Sequence, residues 1–500
     1  MTKKVFSEVK LFLKTYWKPL LFIFLFYCFS FLAIIRANEY YVDDTGRAVI
    51  GYGWTSDFKR YSSTFLSFFL LNMNTKVVDL SPFTQIFALL LTAFSSVFLC
   101  LILSGKKNGA KLSTLSLVLS TFLGIAPYSI SLWIYKFDAP CMALALFVSI
   151  VPFLFRSGKN RFLYPVASIF CLLIMWTSYQ AFSGVYSLLC LLIVVNELTS
   201  KKKTKPTIRF LLISVGSYLL SAILYKILPD VGLAPSYRST EIFGMLELVP
   251  GIINNLRALF ATIWSDFPLA WKVLLSATIV VFPLSFIFKK GNHAKNFGIG
   301  FLTLLAIFTT CFGPFLALKE LALQPRSLCA FSVALACLGI ILGNNLKKKL
   351  QLLSIPSLLL IYSFMIFSFA LGNALAGQKA YSTFRNSTLA SDLSRLYPDS
   401  SEFSQKQVQI LGDIGLSAVT KHASESYPLI PRIIDESQTG LSEHVWGTRR
   451  LLFYYGLKFD NYFVAKNEKF DYELFNIKLD SQYHKIYESQ DSTKICIVLK

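Results

Sequence analysis

Apolar runs of about 17 to 25 residues, the length that crosses a bilayer as a helix, recur along this chain to about residue 372 and then stop. Backbone in hydrocarbon must satisfy its own polar groups, which a helix does within one segment. The first part of the chain therefore reads as all-α and membrane-embedded. Composition agrees, with 54% hydrophobic residues and 46 phenylalanines among 500 residues. We expect an all-α polytopic membrane protein over residues 1–372 and a separate tail over 373–500.

The first apolar run, about 19–36, follows a lysine-bearing N-terminus but is not followed by a small-residue cleavage site, so it reads as a retained signal anchor. Further spans are expected near 83–104, 112–133, 138–155, 162–180, 182–198, 210–228, 268–288, 297–318, 328–343 and 352–372, which makes about eleven. The N-terminus and alternate connections are basic: Lys106, Lys107 and Lys111; Arg156, Lys159 and Arg161; Lys201 to Lys203, Lys205 and Arg209; Lys289, Lys290 and Lys295; Lys347 to Lys349. The positive-inside rule makes these cytoplasmic. Segment 37–82, the turns near 135 and 180, segment 229–267, the turn near 322 and the tail are then extracytoplasmic.

A net charge of +21 invites a nucleic-acid reading. From residue 373 onward, however, Lys plus Arg equals Asp plus Glu at 15 each, so the whole excess sits in the membrane body. It reads as topology signal with anionic lipid as its partner. No zinc-finger spacing or basic stripe with stacking aromatics accompanies it. Eight of the nine cysteines lie in apolar spans or at their ends, which leaves no material for a disulfide framework. His293, His422, His444 and His484 are scattered, and no His/Cys metal spacing is visible.

The tail has ordinary globular composition. Residues 380–397 are expected to be helical, Gln407–Leu411 and Lys494–Leu499 to be strands, and Glu443–Tyr455 to be an amphipathic helix. Together they suggest a small extracytoplasmic α/β domain.

Chemistry is concentrated after the first span, where Glu39, Asp43, Asp44 and Arg47 fall within nine residues. A Walker loop, a Rossmann fingerprint and a Gly-x-Ser-x-Gly elbow are missing from their required contexts. An external site has no reliable supply of nucleotide sugar, so a transferase there needs a donor carried in the lipid phase, such as a polyprenyl-phosphate sugar. Displacing a lipid phosphate from an anomeric carbon calls for one carboxylate as general base, and Asp43, Asp44 and Glu39 are the candidates. The phosphate is already a good leaving group, so cations can replace a general acid. Arg47, Lys59 and Arg60 follow in the same loop, and Arg238, Lys319 and Arg326 are further external cations. Arg326 is favoured, because arginine's planar fork suits phosphate at the membrane boundary. Snorkelling at a helix end is the structural alternative.

Asp138, Tyr179 and Gln180, at two outward turns, could contact sugar hydroxyls, although helix capping also accounts for Asp138. Residues 61–72 are too short to span and suit an interfacial helix. Asp43-Asp44-Thr45-Gly46 is also a good solvated turn, and a carboxylate pair could instead hold a divalent cation against donor phosphates. No cofactor is specified by the residues themselves.

Val42 to Arg47 with Gly51 and Tyr52, Ser178-Tyr179-Gln180 at an outward helix end, Pro325-Arg326 before a late span, and Val408 to Gly412 in the tail together resemble the type-II class of bacterial membrane glucosyltransferases. The resemblance covers essentially the whole chain. It implies a GT-C type fold and an undecaprenyl-phosphate-glucose donor. It also implies transfer to O-antigen or a related surface polysaccharide on the outer face of the cytoplasmic membrane. Carried across by position, the catalytic carboxylate is Asp43 or Asp44, with Arg47 beside it. Rival readings are a transporter or flippase of lipid-linked sugars, and a polysaccharide ligase or polymerase. Spans nearly free of central charge count against a transporter.

Overall fold

The computed structural model describes residues 2–106, 108–156, 162–199, 204–229, 241–289, 291–434, 456–457 and 470–500. Arg238, the basic residues Lys107, Lys159, Arg161, Lys201 to Lys203 and Lys290, His444 and the expected helix 443–455 lie outside them. The chain divides into two compact units: residues 1–31 with 53–368, and residues 32–52 with 369–500.

The first unit is helical, as the apolar runs require. Among the described residues seven helices are long and apolar enough to cross a membrane, or eight if one bent pair counts as a span. The expected count of eleven differs for a physical reason. Ala139–Phe155 and Leu163–Trp176 form apolar helices too short for that test, and His293–Thr310, with Lys295 in its first turn, does not pass it either. The first helix runs Thr2–Ser30, so it begins well before residue 19. A second helix, Leu32–Ala37, completes the expected stretch.

The bent pair is Thr114–Ile125 with Pro127–Trp133, at 57°. Pro127 drives Ala126 into extended backbone (ψ 144°), since the proline ring disfavours a helical residue before it. Trp133 Nε1 donates to the Gly124 carbonyl at 3.1 Å, which pairs a group at the break.

The centre of this unit is Pro325–Asn345, whose apolar window is 89% buried. Small residues allow that packing. A Cβ on Gly343 would come within 2.7 Å of the Ser116 backbone, and one on Gly339 within 3.0 Å of the Leu119 carbonyl. Thr204–Ile227, by contrast, presents Leu212, Leu219 and Ile223 outward. Between it and its neighbours Tyr164 bonds Tyr186 (2.9 Å) and Ser214 (2.7 Å), and Tyr186 donates to Ser168 (3.0 Å). Buried hydroxyls of this kind join apolar helices that otherwise gain little from burial in lipid.

In the second unit the last apolar helix continues into the tail as one 42-residue element, Ile355–Leu396, which absorbs the helix expected at 380–397. Four strands follow: β1 (Gln407–Leu411), β2 (Asn476–Asp480), β3 (His484–Glu488) and β4 (Lys494–Leu499). Their order is β1-β4-β3-β2, with β1 parallel to β4 and the remaining pairs antiparallel. Val408, Ile410, Ile486, Ile495 and Ile497 pack with Leu389 and Leu393 from the long helix. Strands β1 and β4 occupy the expected residues. β2 and β3 were not anticipated, although Asn476–Asp480 alternates polar and apolar residues as a strand does; β2 lies at the sheet edge and is mostly exposed.

Candidate active site

Residues expected from the sequence to carry chemistry occur in both compact units. In the second unit the acidic segment is a short helix, where the sequence suggested a solvated turn. Asp44 opens Asp44–Ile50, and Gly51, left-handed at φ 72°, closes it by donating its N–H to the Arg47 carbonyl. Asp44 is 0% exposed, and its Oδ2 accepts the Tyr41 N–H at 3.1 Å. Arg47 is also fully buried, and its Nε donates to the Tyr52 carbonyl at 3.3 Å. Glu39 is buried, whereas Asp43 is half-buried at the N-cap position and makes no side-chain cap bond. Val42 holds φ 50°, a left-handed conformation that a β-branched side chain adopts at a cost of about 1–3 kcal/mol. Strain of that size immediately before an acidic residue marks a segment built for more than connection.

In the first unit, four expected residues share one network. Trp54 Nε1 donates to Asp138 Oδ1 at 2.9 Å, with both residues buried. Asp138 stands at the start of Ala139–Ile150 without a side-chain cap bond, so its carboxylate serves Trp54 and not the cap suggested by sequence. The Arg60 guanidinium lies over Trp54 (5.8 Å), Phe58 (4.8 Å) and Tyr179 (5.4 Å). Its Nε is buried without a hydrogen-bond partner among the described residues. The Tyr179 hydroxyl donates to the Arg326 carbonyl at 3.2 Å. Arg326 in turn donates from Nη1 to the Tyr135 hydroxyl (2.5 Å) and from Nε to Gln324 (3.3 Å). A snorkelling arginine would not be held from two sides in this way.

The loop reaches these partners because its neighbours fix it. Gly53 lets Thr64 approach, where a Cβ would meet the threonine methyl at 2.8 Å, and Thr64 Oγ1 accepts the Trp54 N–H at 2.9 Å. The Ser62 and Ser63 amides donate to the Thr177 carbonyl at 3.1 and 3.3 Å. The helical stretch expected at 61–72 is present as Tyr61–Phe65 followed by a π-helical turn, Leu66–Leu71.

Gln180 stands apart from the network and donates to the Tyr225 hydroxyl at 3.1 Å. Lys59 donates to the Leu228 carbonyl, and Lys319 pairs with Glu241 at 3.3 Å. Among the described residues, no three His, Cys, Asp or Glu side chains group as a metal site.

Sequence reasoning passed over Trp54, and over Lys136, which is buried and pairs with Asp79 at 3.3 Å. A lysine between apolar segments was the available signal, since its charge requires a carboxylate when buried. Tyr128 and Asp266, joined at 2.6 Å, were likewise missed because 138 residues separate them.

No curated protein and no solved structure matches the chain. The family described as Glucosyl transferase GtrII matches residues 32–343, which enclose the acidic segment, the Trp54–Asp138 pair, Arg60, Tyr179 and Arg326. That match spans more than half of the 500 residues, and the chain belongs to this glucosyl transferase family as a glycosyltransferase.

Proposed function

We propose that the protein transfers glucose from a polyprenyl-phosphate-linked donor to a bacterial surface polysaccharide, O-antigen or a related glycan, on the outer face of the cytoplasmic membrane. Family membership supports the sugar transfer. The observation that carries the lipid-linked donor is Arg60. Its buried Nε is unpaired among the described residues, and aromatic rings hold its guanidinium next to apolar helices. A buried donor left open calls for an anionic acceptor, and a lipid phosphate at the membrane boundary meets that need. Arg326 would hold a second phosphate oxygen.

Asp43 acts as the general base in this reading, because it is the half-buried member of the adjacent aspartate pair. The fully buried Asp44 holds the turn through the Tyr41 amide. The proton from the acceptor hydroxyl passes to Asp43 as the acceptor oxygen bonds to the anomeric carbon, and the carbon–phosphate oxygen bond breaks to release the lipid phosphate. Asp138 and Glu39 position partners in this scheme, and Tyr179 with Gln180 borders the sugar. A GT-C type fold, a cytoplasmic N-terminus and an extracytoplasmic tail belong to the same proposal, supported by the alternation of basic loops.

The test is donor choice by the purified protein in proteoliposomes. Glucose transfer from polyprenyl-phosphate glucose, with none from a nucleotide sugar, is expected. Transfer from the nucleotide sugar alone would overturn the donor assignment.

A further inference from the structure

The family match ends at residue 343, yet the acidic segment lies in the same compact unit as the tail, and four tail residues contact the stretch from Ala33 to Tyr41 that leads into it. Gly372 lies flat against the turn after the first helix, where a Cβ would come within 2.5 Å of the Ala33 backbone. Asn373 accepts a hydrogen bond from Arg36. Lys379 Nζ donates to the Asn38 carbonyl at 2.7 Å and to the Ala37 carbonyl at 3.4 Å. A lysine at the last carbonyls of a helix, here Leu32–Ala37, satisfies groups that have no partner within the helix. Beyond it Tyr41 donates its hydroxyl to the Ile433 carbonyl at 2.5 Å.

These contacts bracket the strained stretch. Asn38 and Val42 are both left-handed, at φ 49° and 50°, and such backbone persists only where its surroundings over-determine it. Lys379 holds one end and Tyr41 the other, and Asp43 follows two residues later. A base must sit within about 0.5 Å of its productive position, so whatever holds residues 37–41 also holds the catalytic geometry.

We propose that Lys379, with the Tyr41–Ile433 contact, is a positioning residue through which the tail sets the location of the acidic segment for glucosyl transfer. The proposal rests on the reading of Asp43 given above. It assigns the tail a part in the reaction that the family match does not reach.

The test uses the full-length protein with Lys379→Met, which keeps length and loses the donor, and Lys379→Arg, which keeps a donor. Amide exchange over residues 38–44 should accelerate about tenfold in Lys379→Met while β3 and β4 exchange at the wild-type rate. Turnover should fall at least about tenfold with the donor KM within about threefold, since misplacement of a bound group costs rate more than binding. Lys379→Arg should recover most of both. Wild-type exchange in Lys379→Met, or acceleration spread equally through the sheet, would overturn the proposal. Freed exchange with unchanged turnover, in a protein that Asp43→Asn inactivates, would also overturn it. Freed exchange in a protein that Asp43→Asn leaves fully active would instead sink the assignment of Asp43 and leave the clamp standing.

Discussion

Replacing Trp54 by Phe removes the indole N–H from the network together with two further atoms of the buried ring. The indole donates to an Asp138 carboxyl oxygen at 2.9 Å, and both partners are buried, so leaving that acceptor without this donor costs about 1–3 kcal/mol. The Arg60 contact at 5.8 Å weakens as well, by about 0.5 kcal/mol, because phenyl is the poorer cation acceptor. Other interactions of Asp138 soften the loss, so about 2 kcal/mol is expected, roughly a thirtyfold larger unfolding constant. Asp138→Asn keeps an acceptor oxygen and should cost less, about 1 kcal/mol. Unfolding in mixed detergent micelles measures both singles and the double variant, and the pair should be coupled by about 1 kcal/mol. Trp54→Phe should also raise the donor KM, since one of the aromatic walls around Arg60 is weakened. Stability within about 0.5 kcal/mol of wild type, or additivity within that margin, would refute the reasoning.

Arg326→Lys keeps the charge but loses the fork that reaches Tyr135 and Gln324, and should raise the donor KM about tenfold with turnover within about threefold. An unchanged KM would return Arg326 to a structural role. Burial holds the His484 imidazole below its ordinary value, against the pull of Asp392 at 3.2 Å and with the push of Arg385. The tail should then be at full stability above a pH of about 6.5, where both states are neutral. It should lose stability as pH falls below that value, because the unfolded chain takes the proton first. His484→Gln should flatten this decline, and an equal decline in the variant would count against burial as its cause. Met73 is 87% exposed, and a Met73→Cys variant should react with an impermeant thiol reagent on intact cells. Reaction only after lysis would reverse the orientation.

Hydropathy carried the helical body, because bilayer thickness fixes the length of apolar runs. The expected eleven spans exceed the seven or eight helices long and apolar enough to cross among the described residues, in part because Leu163–Trp176 is as apolar as a span but shorter, a difference that depends on where the backbone turns. β4 was legible from a compact apolar run and β1 from its alternation, while the five-residue alternation of β2 went unread beside its charged and exposed neighbours. Asp138, Tyr179 and Arg326 could be picked out one by one as polar groups at outward turns. That Trp54 joins them through Asp138, and Arg60 through Tyr179, could not, since those contacts close over 84 to 147 residues. The acidic cluster read as a turn because its spacing fits one. Its burial depends on the rest of its unit, including Ile433 almost 400 residues away.

Single-turnover glucose transfer from polyprenyl-phosphate glucose by Asp43→Asn, beside wild type and Asp44→Asn, tests the central claim most directly. With Asp43 as the base, Asp43→Asn should be folded, should bind donor normally, and should transfer about 10²- to 10⁴-fold more slowly. Asp44→Asn should chiefly lower stability. Transfer by Asp43→Asn within about threefold of the wild-type rate would contradict the account.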